Sequence, residues 1–458
     1  MDRNLTGKRP TFSRKGPHSN PFRILFLLIL IAGSIWLVHE IGSEPGNLIK
    51  PLFLPTPTAT RTAKSYLNEA QAFFNAGKID DPTEPDAIDA YREALAIDTQ
   101  NAEAWAELAR LLTYSSTLLS TQEDRIARME EARQAIDKAL AIEPDDSTIQ
   151  AIYALVLDWS ASVASDQNQI ETWLIQAEQA AAYAYNLDPN NYLGLAYYAE
   201  VLLDRQKYSQ AEQYARQAVE LAPTVMDTHR VYATVMESFG QYRVAIEEYE
   251  KAAEINPNLT FLYIRIGVIY RELKVYDRAL EYFNKAVSIN KANGIQDPIP
   301  YIGIAKTYSR TGQFFIAAIN AEKALSLDPT NANTYGQLGI IYTKARNYES
   351  ALLVLKCAVR GCSIEEAKGI LDDLIPGNTI ELKESVKGLA LTNYEVAYYY
   401  AQYGSVLAAL SRPQQNYCPE ALDVLEQVKS AYSGDPGLMG IVAENEAICH
   451  LIEETPLP

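Results

Sequence analysis

Histidine and cysteine are scarce in this chain, and both scarcities narrow what it can do. Its 458 residues include four His and four Cys. No HExxH, GxxxxGK[ST] or GxSxG run occurs, so the local signatures of zinc hydrolysis, phosphate cradling and a serine nucleophile are missing. His18 lies in a basic amino-terminal stretch and His39 at the end of an apolar one. His450 has Cys449 beside it, but adjacent helical residues diverge by about 100°, which makes a poor metal site. No cofactor, metal or small-molecule substrate is expected. Cys is also absent just after the apolar amino-terminal run, which argues against lipid attachment there.

Positive charge is scarce beyond the first fifty residues. Residues 1–50 carry seven Lys/Arg against three Asp/Glu, whereas the rest carries 33 against 55, a net of −22. A body this acidic repels phosphate backbones, so no nucleic-acid partner is expected. Its many Asp and Glu fall on periodic helix faces, as a solvated surface requires. Pro and Gly, at 22 each, are near average usage, which predicts a mostly ordered chain.

The amino terminus divides into three stretches. Residues 1–21 form a basic tail with Arg3, Lys8, Arg9, Arg14 and Lys15. Residues 22–41 follow as an expected transmembrane helix, in which Ile24 to Val38 run without a charge. Arg23 can snorkel from the inner edge, and Trp36 and His39 suit the outer interface. The basic flank predicts a cytoplasmic amino terminus and an extracytoplasmic body, with the segment kept as a signal anchor. The alternative is a cleaved signal peptide and a secreted protein, although no A-x-A-like site follows the run. Residues 42–63, with Pro51, Pro55 and Pro57 among Thr and Ala, predict an extended linker.

Beyond the linker the chain repeats. Pro189, Pro223 and Pro257 are 34 residues apart; Lys291 takes the next slot, and Pro329 follows after a 38-residue interval. Twelve residues before each slot stand Ala211, Ala245, Ala279, Ala317 and Ala351. Five before it stand Ala218, Ala252, Ala286, Ala324 and Ala358, and twenty-four before it Ala199, Ala233, Gly267, Ala305 and Gly339. Tyr208, Tyr242, Tyr276, Phe314 and Tyr348 recur in phase with them. Each unit reads as two helices and a Pro-containing turn. Small residues let the two helices approach closely, and a large neighbour fills the adjacent hole. One hairpin leaves an apolar face that the next must cover.

This pattern closely resembles the tetratricopeptide repeat family. The resemblance implies an all-α, right-handed superhelical solenoid of antiparallel helix pairs and a protein-binding role. The array is expected over 64–363 as about eight units, most regular over 191–363. Two additions of eleven residues, before Pro144 and Pro189, are expected to lengthen both helices of their hairpins. Residues 364–458 are expected to hold degenerate helices, with an irregular helix pair over 364–390, a ninth hairpin at Tyr394–Leu410 and Glu420–Tyr432, and a capping helix from Pro436. The tyrosines Tyr394, Tyr398, Tyr399, Tyr400 and Tyr403 are read as packing of that hairpin, and His229 as packing where other units have Tyr263, Tyr301 and Tyr335.

In this family the first helix of each unit lines a concave groove. The groove-facing positions would then include Glu200, Asp227, Arg230, Phe261, Ile264, Val268, Arg271, Ile299, Ile302, Lys306, Gly336 and Ile340. Phe261, Ile264, Val268, Ile299, Ile302 and Ile340 form an apolar patch, with Arg230, Arg271 and Lys306 available for polar contacts. Two readings of the patch stand: a partner helix or extended peptide docks on it, or neighbouring units and the carboxy-terminal region cover it. The Lys/Asn clamp that some members use for a peptide carboxylate is absent, since Ala196 and Glu200, or Arg230 and Thr234, occupy those positions. Cys357, Cys362, Cys418 and Cys449 allow three pairings in an oxidising compartment. Cys357 and Cys362 flank Gly361, a helix stop, and Cys418 and Cys449 lie where a bridge would tie the last hairpin to the terminal helix.

The leading expectation is a membrane-anchored scaffold that binds a protein or peptide partner. The alternatives are an architectural protein that self-associates through the array ends, and an enzyme whose catalytic site lies in the irregular carboxy-terminal region.

Overall fold

The computed structural model describes residues 20–42, 61–81, 84–119, 122–164, 166–377 and 379–454. Most of the basic tail and of the Pro/Thr linker lies outside these residues. The chain divides into two units, Met1–Arg61 and Thr62–Pro458. The first contains helix α1 (Pro21–Gly42), whose stretch Pro21–His39 is long and apolar enough to cross a membrane. None of that stretch is buried against protein.

The second unit is a ladder of helix pairs. They are α2 and α3 (Ala63–Asn75, Ala87–Ile97), α4 and α5 (Ala102–Ser115, Gln122–Ile142), α6 and α7 (Ser147–Val163, Gln167–Leu187), and α8 and α9 (Tyr192–Asp204, Tyr208–Leu221). Next come α10 and α11 (Met226–Ser238, Tyr242–Ile255), α12 and α13 (Thr260–Glu272, Tyr276–Asn293), α14 and α15 (Ile299–Arg310, Phe314–Leu327), and α16 and α17 (Ala332–Lys344, Tyr348–Arg360). A short α18 (Ile364–Leu374) leads to a ninth pair, α19 and α20 (Tyr394–Leu410, Cys418–Tyr432), and α21 (Pro436–Glu454) packs on both of its helices. Among the described residues no β-strand occurs; Cys362–Val386 and Arg412–Gln415 form isolated bridges.

Two expectations are corrected. The addition before Pro144 does not lengthen both helices: α4 keeps 14 residues, and the extra chain forms a 3-10 turn at Ser116–Leu118 and a 21-residue α5. In the next hairpin both helices are long, 17 and 21 residues. Residues 364–390 are not a helix pair. After α18 the chain runs without helix, and Val386 exchanges two backbone hydrogen bonds with Cys362 across it.

The recurring small residues are the points where helices touch. Every Ala of the three phased sets is buried, and so are Gly267 and Gly339. A Cβ on Gly339 would lie 2.4 Å from the Leu355 side chain, and one on Gly267 would lie 2.8 Å from the Phe283 ring. Phe283 and Leu355 hold the same place in their units, so the repeat preserves a small residue on the first helix facing a large one on the second. Phe283 also lies 2.5 Å from where a Cβ on Gly303 of the next unit would be. Any larger residue at either glycine must displace the ring, and overpacking of that kind costs about 1–3 kcal/mol.

In the five regular hairpins, from α8–α9 to α16–α17, the turn holds one residue with positive φ. Gln206, Gly240, Lys274, Gly312 and Arg346 fill that place with φ between 58° and 77°. Glycine adopts this conformation freely, so the three side-chain-bearing residues carry strain that their neighbours at 240 and 312 avoid.

Candidate functional site

The first helices of the ladder stack on one another from α4 through α10, then α12, α14 and α16. Their shared face is the concave surface, and its two ends differ.

From α2 to α12 this surface is closed by its own side chains. Arg230 forms a bidentate pair with Glu200, at 2.9 and 2.8 Å, and Trp159 Nε1 donates to the same carboxylate at 3.2 Å. Asp227 accepts hydrogen bonds from Tyr114, from Tyr197 at 3.2 Å and from Arg110 at 3.2 Å. Arg110 also pairs with Glu107 at 2.6 Å and covers the Phe74 ring of α2 at 5.2 Å. Phe261 of α12 packs 6.1 Å from Tyr114 of α4. Arg110, Glu200, Asp227 and Arg230 are all buried. Burial opposes the charge on Arg110 and Arg230, but the adjacent carboxylates outweigh it and hold both guanidinium pKa values above the ordinary one. Burial, then Asp204 and Glu200, raise the pKa of the neighbouring Asp158, which has one carboxyl oxygen without a hydrogen-bond partner.

The ladder also meets itself at its rim. Asn258 Nδ2, in the turn before α12, donates to the Asn75 carbonyl at 2.9 Å, and a Cβ on Gly77 would lie 2.3 Å from the Asn258 carbonyl oxygen. The first hairpin therefore touches the sixth, and the curved face between them holds a core instead of a groove.

Arg230 is thus not available to a partner as expected, because Glu200 one helix away takes its full fork. Phe261 likewise serves the closed region. Both corrections share a cause: opposite charges and large rings stand at groove positions of successive first helices and satisfy one another.

The second part, from α12 to α19, is less filled. Ile264 and Val268 are half-buried against the Phe283 cluster, and Ile340 against the carboxy-terminal core. Ile299 and Ile302 are half-exposed and belong to no packed cluster of the described residues. Lys306 Nζ donates to Glu395 of α19 at 2.9 Å, and Gln337 donates to the same carboxylate at 2.6 Å. Tyr399 reaches Asn333 and Gln337, and its ring lies 2.6 Å from where a Cβ on Gly336 would be. Arg271 is buried over the Phe283 ring, and its Nε has no hydrogen-bond partner. Burial, then Arg310, lowers its pKa.

His229 packs inside the array. Its Nε2 meets the Pro223 carbonyl at 2.9 Å, as the Tyr263 and Tyr335 hydroxyls meet the Pro257 and Pro329 carbonyls at 3.1 and 3.2 Å. The Glu248 carboxylate lies 2.6 Å from its Nδ1. Tyr399, Tyr400 and Tyr403 are buried in the ninth hairpin, while Tyr394 is exposed. Cys357 is disulfide-bonded to Cys362, with Cα atoms 4.9 Å apart, and Cys418 to Cys449, with Cα atoms 5.3 Å apart. No group of His, Cys, Asp or Glu suited to a metal occurs among the described residues.

Family models described as tetratricopeptide repeat match residues 235–259, 262–293 and 320–352. The chain carries tetratricopeptide repeats. Their phase places Phe283, Gly267 and Gly303 at the contact between two such units. Among solved structures, the chain is similar to a thermophilic TPR protein of Thermus thermophilus, with 19% identity over 45% of this chain and 98% of that one and a TM-score of 0.37. It is also similar to a tetratricopeptide repeat protein of Parabacteroides merdae, with 15% identity, 61% and 93% coverage and a TM-score of 0.41. Yeast Tom70 is a third, with 16% identity, 75% and 71% coverage and a TM-score of 0.44. A comparison with curated protein sequences finds no match.

The sequence marks the face shared by the first helices and does not show what fills it. Arg110, Tyr114 and Trp159 lie in the irregular upstream units, where the repeat phase does not mark them as groove residues. The available signal is the alternation Glu200, Asp227, Arg230 on adjacent first helices. Glu395 and Tyr399 come from beyond the regular repeats and have no periodic signal.

Proposed function

We propose that this chain is a membrane-anchored scaffold that takes a protein or peptide partner on the second part of its concave face, between α12 and α19. The observation that carries this reading is the pair Ile299 and Ile302, apolar side chains left half-exposed on a face whose other end is sealed. Val268 and Ile340 extend the apolar strip, and Arg271 and Lys306 border it. An amphipathic helix or an extended peptide fits a strip of this kind. The anchoring part rests on α1, with its apolar run and the basic residues before it.

Capture from detergent-solubilised membranes with the full-length chain tests the groove. Wild type recovers a specific partner, and Ile299→Glu and Ile302→Glu each reduce recovery at least tenfold while the array melts as wild type. Undiminished recovery by both variants removes the groove as the site. Alkaline extraction tests the anchor: the full chain stays with the membrane pellet, and release of the intact chain contradicts the anchored reading.

A further inference from the structure

The second part of the concave face holds more cation than its own carboxylates neutralise. Arg271, in the last turn of α12, is 9% exposed, and its Nε has no hydrogen-bond partner. Its one ion-pair contact among the described residues is Glu272, at 3.6 Å. That carboxylate is already held by Arg310 of α14, at 3.1 and 3.0 Å. The other carboxylates nearby are taken as well. Glu237, which holds the place of Arg271 in α10, pairs with Arg265 at 2.8 Å, and Glu395 pairs with Lys306 at 2.9 Å. Lys344, in the last turn of α16, adds a further charge: loss of hydration lowers its pKa, and Arg310 lowers it more. Arg271, Lys306, Arg310 and Lys344 thus share Glu272 and Glu395, in a body whose net charge past residue 50 is −22.

A cation in the last turn of a helix is ordinary, because the carbonyls there carry partial negative charge. That accounts for Arg310 and Lys344, which are exposed. It does not account for Arg271. A buried charged donor without an acceptor destabilises the free array. The Phe283 ring, 5.8 Å from the guanidinium, attracts its charge and gives its edge no acceptor. Ionisable groups held at such a disadvantage concentrate at binding sites. An incoming carboxylate supplies the missing acceptor and relieves the repulsion between Arg271 and Arg310.

We propose that the partner of this groove is an acidic peptide, with one carboxylate seated between Arg271 and Arg310 and apolar side chains on Ile299 and Ile302. This inference rests on the groove reading above and names the chemistry of its partner. Ser309, which takes the place of Arg271 in α14, is seven residues beyond Ile302, about 10 Å along the helix. An extended peptide covers that distance in about three residues, so an apolar residue and an Asp or Glu three positions apart is the expected pattern. The seat is not the Lys/Asn clamp, whose positions in α12 carry Ile264 and Val268, one turn before Arg271.

The test selects binders from a displayed random-peptide library on the full-length chain in detergent micelles. Fluorescein-labelled copies of the enriched peptide, one with its Asp or Glu and one with Asn or Gln in that place, are then titrated by anisotropy. Arg271→Met is expected to weaken the acidic copy roughly tenfold or more and to leave the neutral copy unchanged. It should also raise the melting temperature of the peptide-free chain, because an unsatisfied buried charge is gone. Arg310→Gln, at an exposed position, should weaken the acidic copy alone, and Ile302→Glu should weaken both. Equal affinity of wild type for the two copies overturns the acidic partner, and sensitivity to Ile302→Glu then leaves the groove standing. A lower melting temperature of Arg271→Met with unchanged affinity makes Arg271 a packing residue and overturns the seat. Displacement of the peptide by inorganic phosphate at lower concentration than by acetate assigns the seat to phosphate and overturns the carboxylate. Insensitivity to all three substitutions, or a library with no enriched peptide, removes the groove and this inference with it.

Discussion

The part of the ladder from α2 to α13 and the part from α14 to α21 are built on one repeat and end in different states. In the first, the groove positions carry Arg230, Glu200, Asp227 and Phe261, which with Arg110, Tyr114 and Trp159 meet across the curve and bury one another. In the second, Tyr399 covers Gly336, Ile340 packs on the carboxy-terminal core and Lys306 pairs with Glu395, while Ile299 and Ile302 stay half-exposed. The means of holding each part differ as well. Buried ion pairs lock the first, whereas both disulfides lie in the second. A tetratricopeptide phase fixes where helices cross. Whether the concave face is a core or a groove depends on the few residues that the phase leaves unconstrained.

The largest expected effect breaks the closed part. Asp227→Ala leaves Arg110 without one partner and removes the acceptor of Tyr114 and Tyr197, and should cost about 3–5 kcal/mol, the range for breaking a buried pair from one side. Chemical denaturation should show that loss, and amide exchange should place it in α4 to α12, with α16 to α21 unchanged. A uniform loss along the ladder would show that the two parts do not differ in what holds them.

Next, Cys418→Ser with Cys449→Ser removes a bridge between residues 31 apart and should cost about 2–4 kcal/mol. Faster exchange in α19 to α21 alone is the expected readout. Cys357→Ser with Cys362→Ser opens a bridge between residues only five apart and should cost less.

Acidity sharpens the boundary between the parts. Asp297, in the turn before α14, is buried, and burial raises its pKa to about 6 against the hydrogen bonds from the Ile299 N–H and from Asn290. A carboxyl whose folded pKa exceeds its unfolded one, 3.8, takes up a proton on folding. Its contribution to stability therefore rises as pH falls from about 6 toward 4, and above 6 it stays at its least favourable level. Asp297→Asn should stabilise the array by up to about 3 kcal/mol at pH 7 and have no effect near pH 4. Melting temperatures of the two proteins across that range check the sign, and curves that stay parallel would contradict it.

The smallest effect concerns the turns. Lys274→Gly should raise stability by roughly 0.5–1 kcal/mol, because it removes a side chain from a left-handed conformation that Gly240 and Gly312 adopt elsewhere. A loss on denaturation would show that the Lys274 side chain contributes more than its backbone strain costs.

The fold was legible in the sequence because close helix packing leaves a phased trace. Ala211, Ala245, Ala279, Ala317 and Ala351 are alike in size for a geometric reason and are all buried. The irregular ends were less legible. The chain after α18 follows no helix period, and it is held by the pairing of Val386 with Cys362, by the Leu389 N–H on the Ala358 carbonyl and by apolar side chains packed on the carboxy-terminal core. The shared face of the first helices was legible, and its filling was not. Arg110 and Asp227 are 117 residues apart in sequence and meet only because the ladder curves far enough to bring the second hairpin against the fifth. Curvature accumulates over many small interhelix angles, and no single residue encodes it. The same holds for Glu395, which reaches Lys306 from a hairpin that the repeat pattern barely marks.

Hydroxyl-radical footprinting of the full-length chain reads the contrast between the two concave faces directly. Tyr114 and Tyr197 should stay protected in the folded protein, while Ile299 and Ile302 are oxidised and become protected when partner is added. Ready oxidation of Tyr114 and Tyr197 together with protection of Ile299 and Ile302 in the partner-free chain would contradict the assignment of core and groove.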